Sequence, residues 1–416
     1  MKAVSRLREE FSFIKGNYLI LVVSWILMDF AGEMPAVYYG PFVIYDLGAS
    51  PAILGMIGFA SVVALASVQF PGGYLADRYG RRWLVSTLTF GVAFSFLFYV
   101  FAQSWQWILA GAVLGNLCLL YQPALMAMIS DSTPAEKRGM AFSLTTLIGN
   151  VATTPAPIVA GVIVTQFTRG TGMRIAYAIV VVLFTSAAIL RSRLKETIKD
   201  APKITLRELA ASYPVSVRES TAVWKTLPSS VLFLFISSLL LGFASSIGQL
   251  FFSVYAVEGD QSVLNVSQLD WALVLTVLFA TMIAVAIPIG KLIDKVGRKL
   301  PLLLSHLVII PAILIFVYGN LATLYLALPL FGVSQLLFFT SFASLQTDLV
   351  PRENRAKVIG FSQFFGYVLA GLGMLAGGVI YSIQPQLAFL LMALAVIPSF
   401  FVILLKVREP ERREEG

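Results

Sequence analysis

Two acids, Asp29 and Glu33, stand four residues apart inside a long apolar stretch. At helical spacing they share one face. Asp29 is about twelve residues into the stretch, roughly 18 Å at 1.5 Å per residue. That depth is near the middle of a bilayer core of about 30 Å. An ionisable group there is costly and marks a site for ions or substrate. The expected chemistry is reversible binding of a proton or a cation. The alternative is a structural pair hydrogen-bonded to Asn, Gln or Tyr of another span. Gly32, Pro35, Gly40 and Pro41 predict a bent or locally broken helix near the pair, with Tyr38 and Tyr39 as polar aromatics beside it.

Other polar side chains fall at membrane depth. They are Asn116, Tyr121, Gln122, Asn150, Thr153 and Thr154 in the first half, and Gln249, Gln335, Gln346, Gln363 and Tyr367 in the second. Each can serve as helix-packing glue or as a substrate contact. The proton- and substrate-binding set expected from them is Asp29, Glu33, Tyr38, Asn116, Tyr121, Gln122, Asn150, Gln249 and Gln363. One cysteine (Cys118) excludes an internal disulfide framework. One histidine (His306), read as a packing residue, leaves no zinc or haem constellation. There is no Ser-His arrangement and no G-x-x-x-x-G-K-[ST] phosphate loop. The chain therefore reads as no enzyme, with no cofactor and no metal, and its energy source as an ion gradient.

The elements that position these residues follow from the scarcity of charge. Of 416 residues, 58% are hydrophobic and 12% charged, against about 25% in a soluble domain. Residues 83–130, 300–347 and 358–405 carry no charge at all, and each run fits two spans and a turn. Twelve spans are expected, at about 17–44, 52–76, 83–103, 106–130, 140–167, 173–192, 228–256, 267–290, 300–319, 322–347, 357–382 and 386–406. The first does not read as a cleaved leader. The net charge of +8 is topology rather than a nucleic-acid surface. With the N-terminus in the cytoplasm, 28 of the 30 basic residues fall on cytoplasmic loops, the cluster from Arg191 to Lys225 among them. Only Arg169 and Arg174 fall outside, and no basic residue is expected at membrane depth. Both termini are placed inside, in the cell membrane. Residues 193–227 read as a linker, with a short amphipathic helix around Leu206–Ala211, between bundles 1–192 and 228–416.

The two bundles repeat. Gly73, Asp77, Gly80 and Arg81 map onto Gly290, Asp294, Gly297 and Arg298 at an offset of 217. The same offset maps Asp131, Pro134, Glu136 and Arg138 onto Asp348, Pro351, Glu353 and Arg355, and Gly149 and Gly161 onto Gly366 and Gly378. Parallel six-helix halves place a binding site between them near the midplane. The acid pair is unique to the first half, because the counterpart span carries Gly242 and Ser246.

The segment Gly73-x-x-x-Asp77-Arg78-x-Gly80-Arg81-Arg82, and its copy at 290–299, resembles the signature loop of the major facilitator superfamily. The resemblance covers the whole chain. It implies an all-α membrane protein with twelve helices in two pseudo-symmetric bundles, working as a monomer by alternating access. It further implies a cytoplasmic gate of Gly73, Asp77, Gly80, Arg81, Asp131, Gly290, Asp294, Gly297, Arg298 and Asp348. In that gate Arg81 pairs with Asp131 and Arg298 with Asp348, the two glycines let helices approach closely, and the contacts hold the cytoplasmic ends of the halves together. Ala156-Pro157-Ile158-Val159-Ala160-Gly161 looks like a degraded Gly-Pro-x-x-Gly-Gly element of the drug:proton antiporter branch. The arginine that branch carries in span four is absent; Gly111 occupies the position four before Gly115. An apolar, acidic, aromatic cavity without basic residues suits neutral or cationic lipophilic compounds. The expected function is proton-coupled export of such molecules; the alternative is a proton-coupled importer of a small metabolite.

Overall fold

A computed structural model describes residues 13–78, 80–134, 137–198, 214, 227–351 and 355–409, with some side chains of the helices at 70–78, 138–150 and 356–357 outside the description. Eleven helices among these residues are long and apolar enough to cross a bilayer, and a shorter apolar helix covers Val151–Phe167. In chain order the first half is α1 (Gly16–Ala36), α2 (Pro51–Arg78), α3 (Arg81–Val100), α4 (Trp105–Asp131), α5 (Arg138–Thr153), α6 (Ala156–Phe167) and α7 (Arg169–Ser192). The second half is α8 (Ser229–Ala256), α9 (Gln268–Val296), α10 (Lys299–Tyr318), α11 (Leu321–Leu349), α12 (Arg355–Ile383) and α13 (Pro385–Lys406). The described residues form an all-α membrane fold. The linker helix expected around Leu206–Ala211 lies outside the described residues.

Prolines set the departures from uniform spans. The fifth span is two helices, α5 and α6, broken at Thr154–Pro155. A proline inside a helix removes one hydrogen bond and crowds the preceding turn. Pro157 sits in the first turn of α6, where a missing N–H has no cost. The first span also breaks. Pro35 lies in the last turn of α1, and Val37–Tyr38 lead into a short turn of helix, Tyr39–Pro41, and a π turn, Phe42–Asp46. The break follows the acid pair, so Asp29 and Glu33 remain on regular helix.

Small residues decide where the halves touch. In lipid, helices associate through close packing rather than the hydrophobic effect. Gly55 and Gly58 of α2 lie against Gly378 and Met374 of α12, and Gly371 lies against Val62 and Phe59. A Cβ on Gly55 would stand 2.5 Å from the Met374 carbonyl oxygen. Gly161 of α6 packs on Ala272 of α9 in the same way. These contacts all lie toward one end, called the closed end below. Toward the other end, which carries the repeated loops, the space where a Cβ would point is empty at Gly290, Gly360 and Gly366. No described atom lies within 4 Å of where a Cβ on Gly290 would stand, so the close approach expected there is not seen among the described residues. Gly73, its counterpart, has no described surroundings.

Replacing Gly55 by Leu should open the closed end. Overpacking of this kind costs about 1–3 kcal/mol, a five- to 150-fold shift of a two-state equilibrium. The native thiol, Cys118, is buried, so a cysteine placed at Ala52 can be labelled selectively with an impermeant maleimide. Its labelling should accelerate in the Gly55→Leu background; an unchanged rate would mean that this approach does not hold the end shut.

Candidate functional site

Asp29 and Glu33 are both half-buried on α1. The absence of a side chain at Gly149 makes room for Asp29: a Cβ there would stand 2.9 Å from Asp29 Oδ2. Trp25 stands one turn earlier on the same helix. The two acids repel one another.

The expectation that no basic residue reaches membrane depth is overturned by Arg191. It is the penultimate residue of α7, and its side chain turns inward to 1% exposure. Its Nε donates to Ser24 Oγ on α1 at 2.9 Å, and a terminal nitrogen donates to Thr89 Oγ1 on α3, also at 2.9 Å. The guanidinium lies over the Tyr121 ring of α4, 5.3 Å from its centroid. Its charge attracts the Asp29 carboxylate. Arg191 is thus no part of a solvated loop cluster. Leaving a guanidinium buried among neutral groups costs on the order of several kcal/mol, so the nearby acid matters to it. The sequence held a signal for this placement. Arg191 follows Ala187, Phe184 and Val180 at helical intervals, and all three are buried.

Several expected site residues are elsewhere. Tyr38 is fully buried at the closed end, where its hydroxyl donates to the Gln268 carbonyl of α9. It joins the halves and does not line the acid site. Tyr121 is buried beneath Arg191. The Asn116 amide donates to Ala112 O on its own helix at 2.8 Å. Gln122 is half-buried, while Gln249 and Gln363 are exposed on the second half. The Asn150 side chain lies outside the described residues. His306 is a packing residue: Nδ1 bonds the Leu302 carbonyl at 2.9 Å and Nε2 bonds Ser399 Oγ at 2.8 Å. The carbonyl can only accept, so a proton is on Nδ1; Ser399 Oγ also donates to Ser237 O at 3.0 Å.

The closed end has polar contacts that sequence reasoning missed. Arg169 pairs with Asp46 at 2.6 Å, lies over the Tyr45 ring and donates to Glu258 O at 3.3 Å. The Tyr45 hydroxyl donates to Val254 O at 3.3 Å.

At the signature end, Arg81 pairs with Asp131 on α4. In the copy, Arg298 Nε lies 3.0 Å from Asp348 Oδ2, an ion pair whose angle falls short of a hydrogen bond. Both pairings expected from the repeat are present, each within its own half. Gly80 and Gly297 precede the helices that follow the two loops, and Gly297 has a positive φ of 90°. The Asp77 side chain lies outside the described residues, and Asp294 is exposed at the end of α9. Two further acids cap these loops. Glu196 accepts from the backbone N–H groups of Arg81 and Arg82, and Glu409 accepts from those of Arg298 and Lys299. Each satisfies the free amides of a helix N-terminus and complements its dipole. The flanking contacts repeat too. Lys195 N donates to Asn17 Oδ1 at 2.8 Å, and Arg408 N donates to Ser230 Oγ at 3.3 Å. This second repeat, Arg193-Leu194-Lys195-Glu196 with Lys406-Val407-Arg408-Glu409, runs at an offset of 213. It is shifted by four residues from the 217-residue repeat of the loops.

The sequence matches the family model described as Major Facilitator Superfamily over residues 21–370 and 260–416. It is 26% identical over 354 residues to the multi-drug resistance efflux pump PmrA of Streptococcus pneumoniae, covering 82% of this chain and 83% of that one. It is also 26% identical over 155 residues, 36% of this chain and 34% of the other, to a Na(+), Li(+), K(+)/H(+) antiporter of Planococcus maritimus. Among solved structures, a bacterial homologue of the human lysosomal transporter Spinster, in an inward-facing and occupied conformation, superposes with a TM-score of 0.75 at 15% identity, over 96% of this chain and 98% of that one. With twelve spans in two repeated halves and a family match across its length, the chain belongs to the major facilitator superfamily and is a transporter, not an enzyme.

Proposed function

We propose that the chain exports neutral or cationic lipophilic small molecules in exchange for protons, by alternating access, as a monomer in the cell membrane. The observation that carries this reading is the pair Asp29 and Glu33, half-buried on regular helix inside a span. Carboxylates at that depth are tolerated where they bind ions or substrate. A proton and a cationic substrate compete for the same negative charge, and this competition couples the two fluxes. Similarity to an efflux pump and to a proton antiporter supports this direction. The signature end is taken as cytoplasmic, with both termini, on the bias of basic residues. The form with that end parted then receives substrate from the cytoplasm, and Asp29 and Glu33 release protons there.

In the opposite form the signature loops come together. Asp77 and Asp294, at the ends of α2 and α9, then meet helix N-termini of the opposite half, where the partial positive charge of the dipole favours a carboxylate. Arg81–Asp131 and Arg298–Asp348 keep each loop in shape for that docking.

In proteoliposomes, the double substitution Asp29→Asn and Glu33→Gln should reduce efflux of a cationic dye driven by a pH gradient about tenfold or more, a barrier of about 1.4 kcal/mol. A double variant that still couples efflux to the gradient sinks the exchange reading. Asp77→Asn should favour the form open at the signature end, read as faster labelling of a cysteine placed at Gly366, where the structure leaves open space. Unchanged labelling would remove Asp77 from the gate.

A further inference from the structure

The closed end is fastened by side chains as well as by glycines. Among the described residues, three side-chain hydrogen bonds cross between the halves there. Tyr38 donates to the Gln268 carbonyl, Tyr45 to Val254 O at 3.3 Å and Arg169 to Glu258 O at 3.3 Å. All three run the same way, from a side chain of the first half to a backbone oxygen of the second. Tyr45 and Arg169 belong to one unit. Arg169 Nε pairs with Asp46 at 2.6 Å, and its guanidinium lies over the Tyr45 ring, 4.7 Å from the centroid. A Cβ on Gly170 would stand 2.9 Å from Asp46 Oδ1, so the glycine lets that carboxylate sit at the first turn of α7. The helix dipole favours it there. Thr168, just before Arg169, has a φ of 65°, which a β-branched residue holds only where its surroundings enforce it.

The receiving side is the connection from α8 to α9, and its own half orders it. Glu258 N donates to Val266 O at 3.0 Å, Val266 N to Ala256 O at 2.8 Å, and the Tyr381 hydroxyl of α12 to Gln261 O at 3.2 Å. Gly259 lies against the Tyr45 ring: a Cβ there would stand 2.4 Å from a ring carbon. A side chain at that position would hold the ring, and Arg169 with it, away from the loop.

We propose that Tyr45, Asp46 and Arg169 form a latch on the first half that engages loop 257–266 of the second, and that its release governs how often the closed end opens. This rests on the alternating-access reading above and adds a gate at the end opposite the signature loops. The planar guanidinium suits the task, since one edge keeps Asp46 while another nitrogen reaches the carbonyl. When the latch opens, the Arg169–Asp46 pair leaves with the first half and the second half gives up only carbonyls. No charge is separated, so release exchanges neutral hydrogen bonds for water at modest cost. Asp46 is a positioning residue here, since it acts through Arg169.

The test uses purified full-length protein with one cysteine reporter at a time, Ala52→Cys at the closed end or Gly366→Cys at the signature end, labelled with a polar maleimide. Arg169→Met and the milder Tyr45→Phe should each speed labelling at position 52, by about two- to tenfold for a lost hydrogen bond of ordinary strength, without speeding it at position 366. Asp46→Asn should also speed labelling at position 52. Combined with Arg169→Met it should add nothing, because the two act as one unit. A merely structural role would loosen the fold and raise both rates together, or move neither, and the effects of Asp46→Asn and Arg169→Met would then add; any of these results overturns the latch. Tyr45→Phe removes one oxygen, so it decides the matter should Arg169→Met not fold. Gly55→Leu separates the two levels of the argument. If it speeds labelling at position 52 while the latch variants do not, the latch alone is wrong. If none of them does, alternating access between these ends falls with it.

Discussion

Hydrocarbon offers no hydrogen bonds, and this constraint governs where the described charged and polar groups lie. Backbone groups are satisfied inside helices. Charged groups collect at span ends, where they cap helices or pair, as with Glu196, Glu409, Arg81–Asp131 and Arg169–Asp46. Those left inside must find partners, and Arg191 finds two hydroxyls, an aromatic face and the field of Asp29. The same solvent removes the hydrophobic effect between helices, so the halves meet where glycine lets backbones come close. Gly55, Gly161, Gly371 and Gly378 hold the closed end on that basis.

The duplicated architecture is visible as contacts as well as letters. The middle helices of each half correspond at 217 residues, which carries the signature loops and their arginine–aspartate pairs. The first helix of each half and the segment after its last helix correspond at 213, which carries the glutamate caps and their Asn17 and Ser230 clasps. Each half therefore closes its signature end on itself with the same set of groups. What the halves do not share is the acid pair and its arginine. The second half has instead, among the described residues, a buried His306–Ser399 bond.

Most of the architecture was legible along the chain. Charge-free runs located the spans to within a few residues, because lipid forbids charge there. The repeat predicted both arginine–aspartate pairs, because they sit at fixed positions on equivalent helices. Pro35, Gly40 and Pro41 announced the break in the first span, whereas the break at Thr154–Pro155 falls inside a stretch read as one span. The acid pair was legible for the same reason as the spans: at that depth a carboxylate has no neutral explanation in composition.

The rest depended on which way side chains turn and which helices meet. Arg191 stands one residue from a helix end, where a loop role and a buried role look alike in one dimension; its rotation onto the Ala187–Phe184 face decides. Tyr38 is five residues from Glu33, yet the break after α1 carries it to the closed end and onto α9. The glutamate caps escaped notice because their repeat shifts by four residues relative to the loops they cap. The sequence by itself determined the spans, the duplication and the presence of deep carboxylates, since each follows from what a bilayer excludes. Only the tertiary structure decided that Arg191 turns inward and which glycines bring the halves together, because both depend on contacts between helices far apart in the chain.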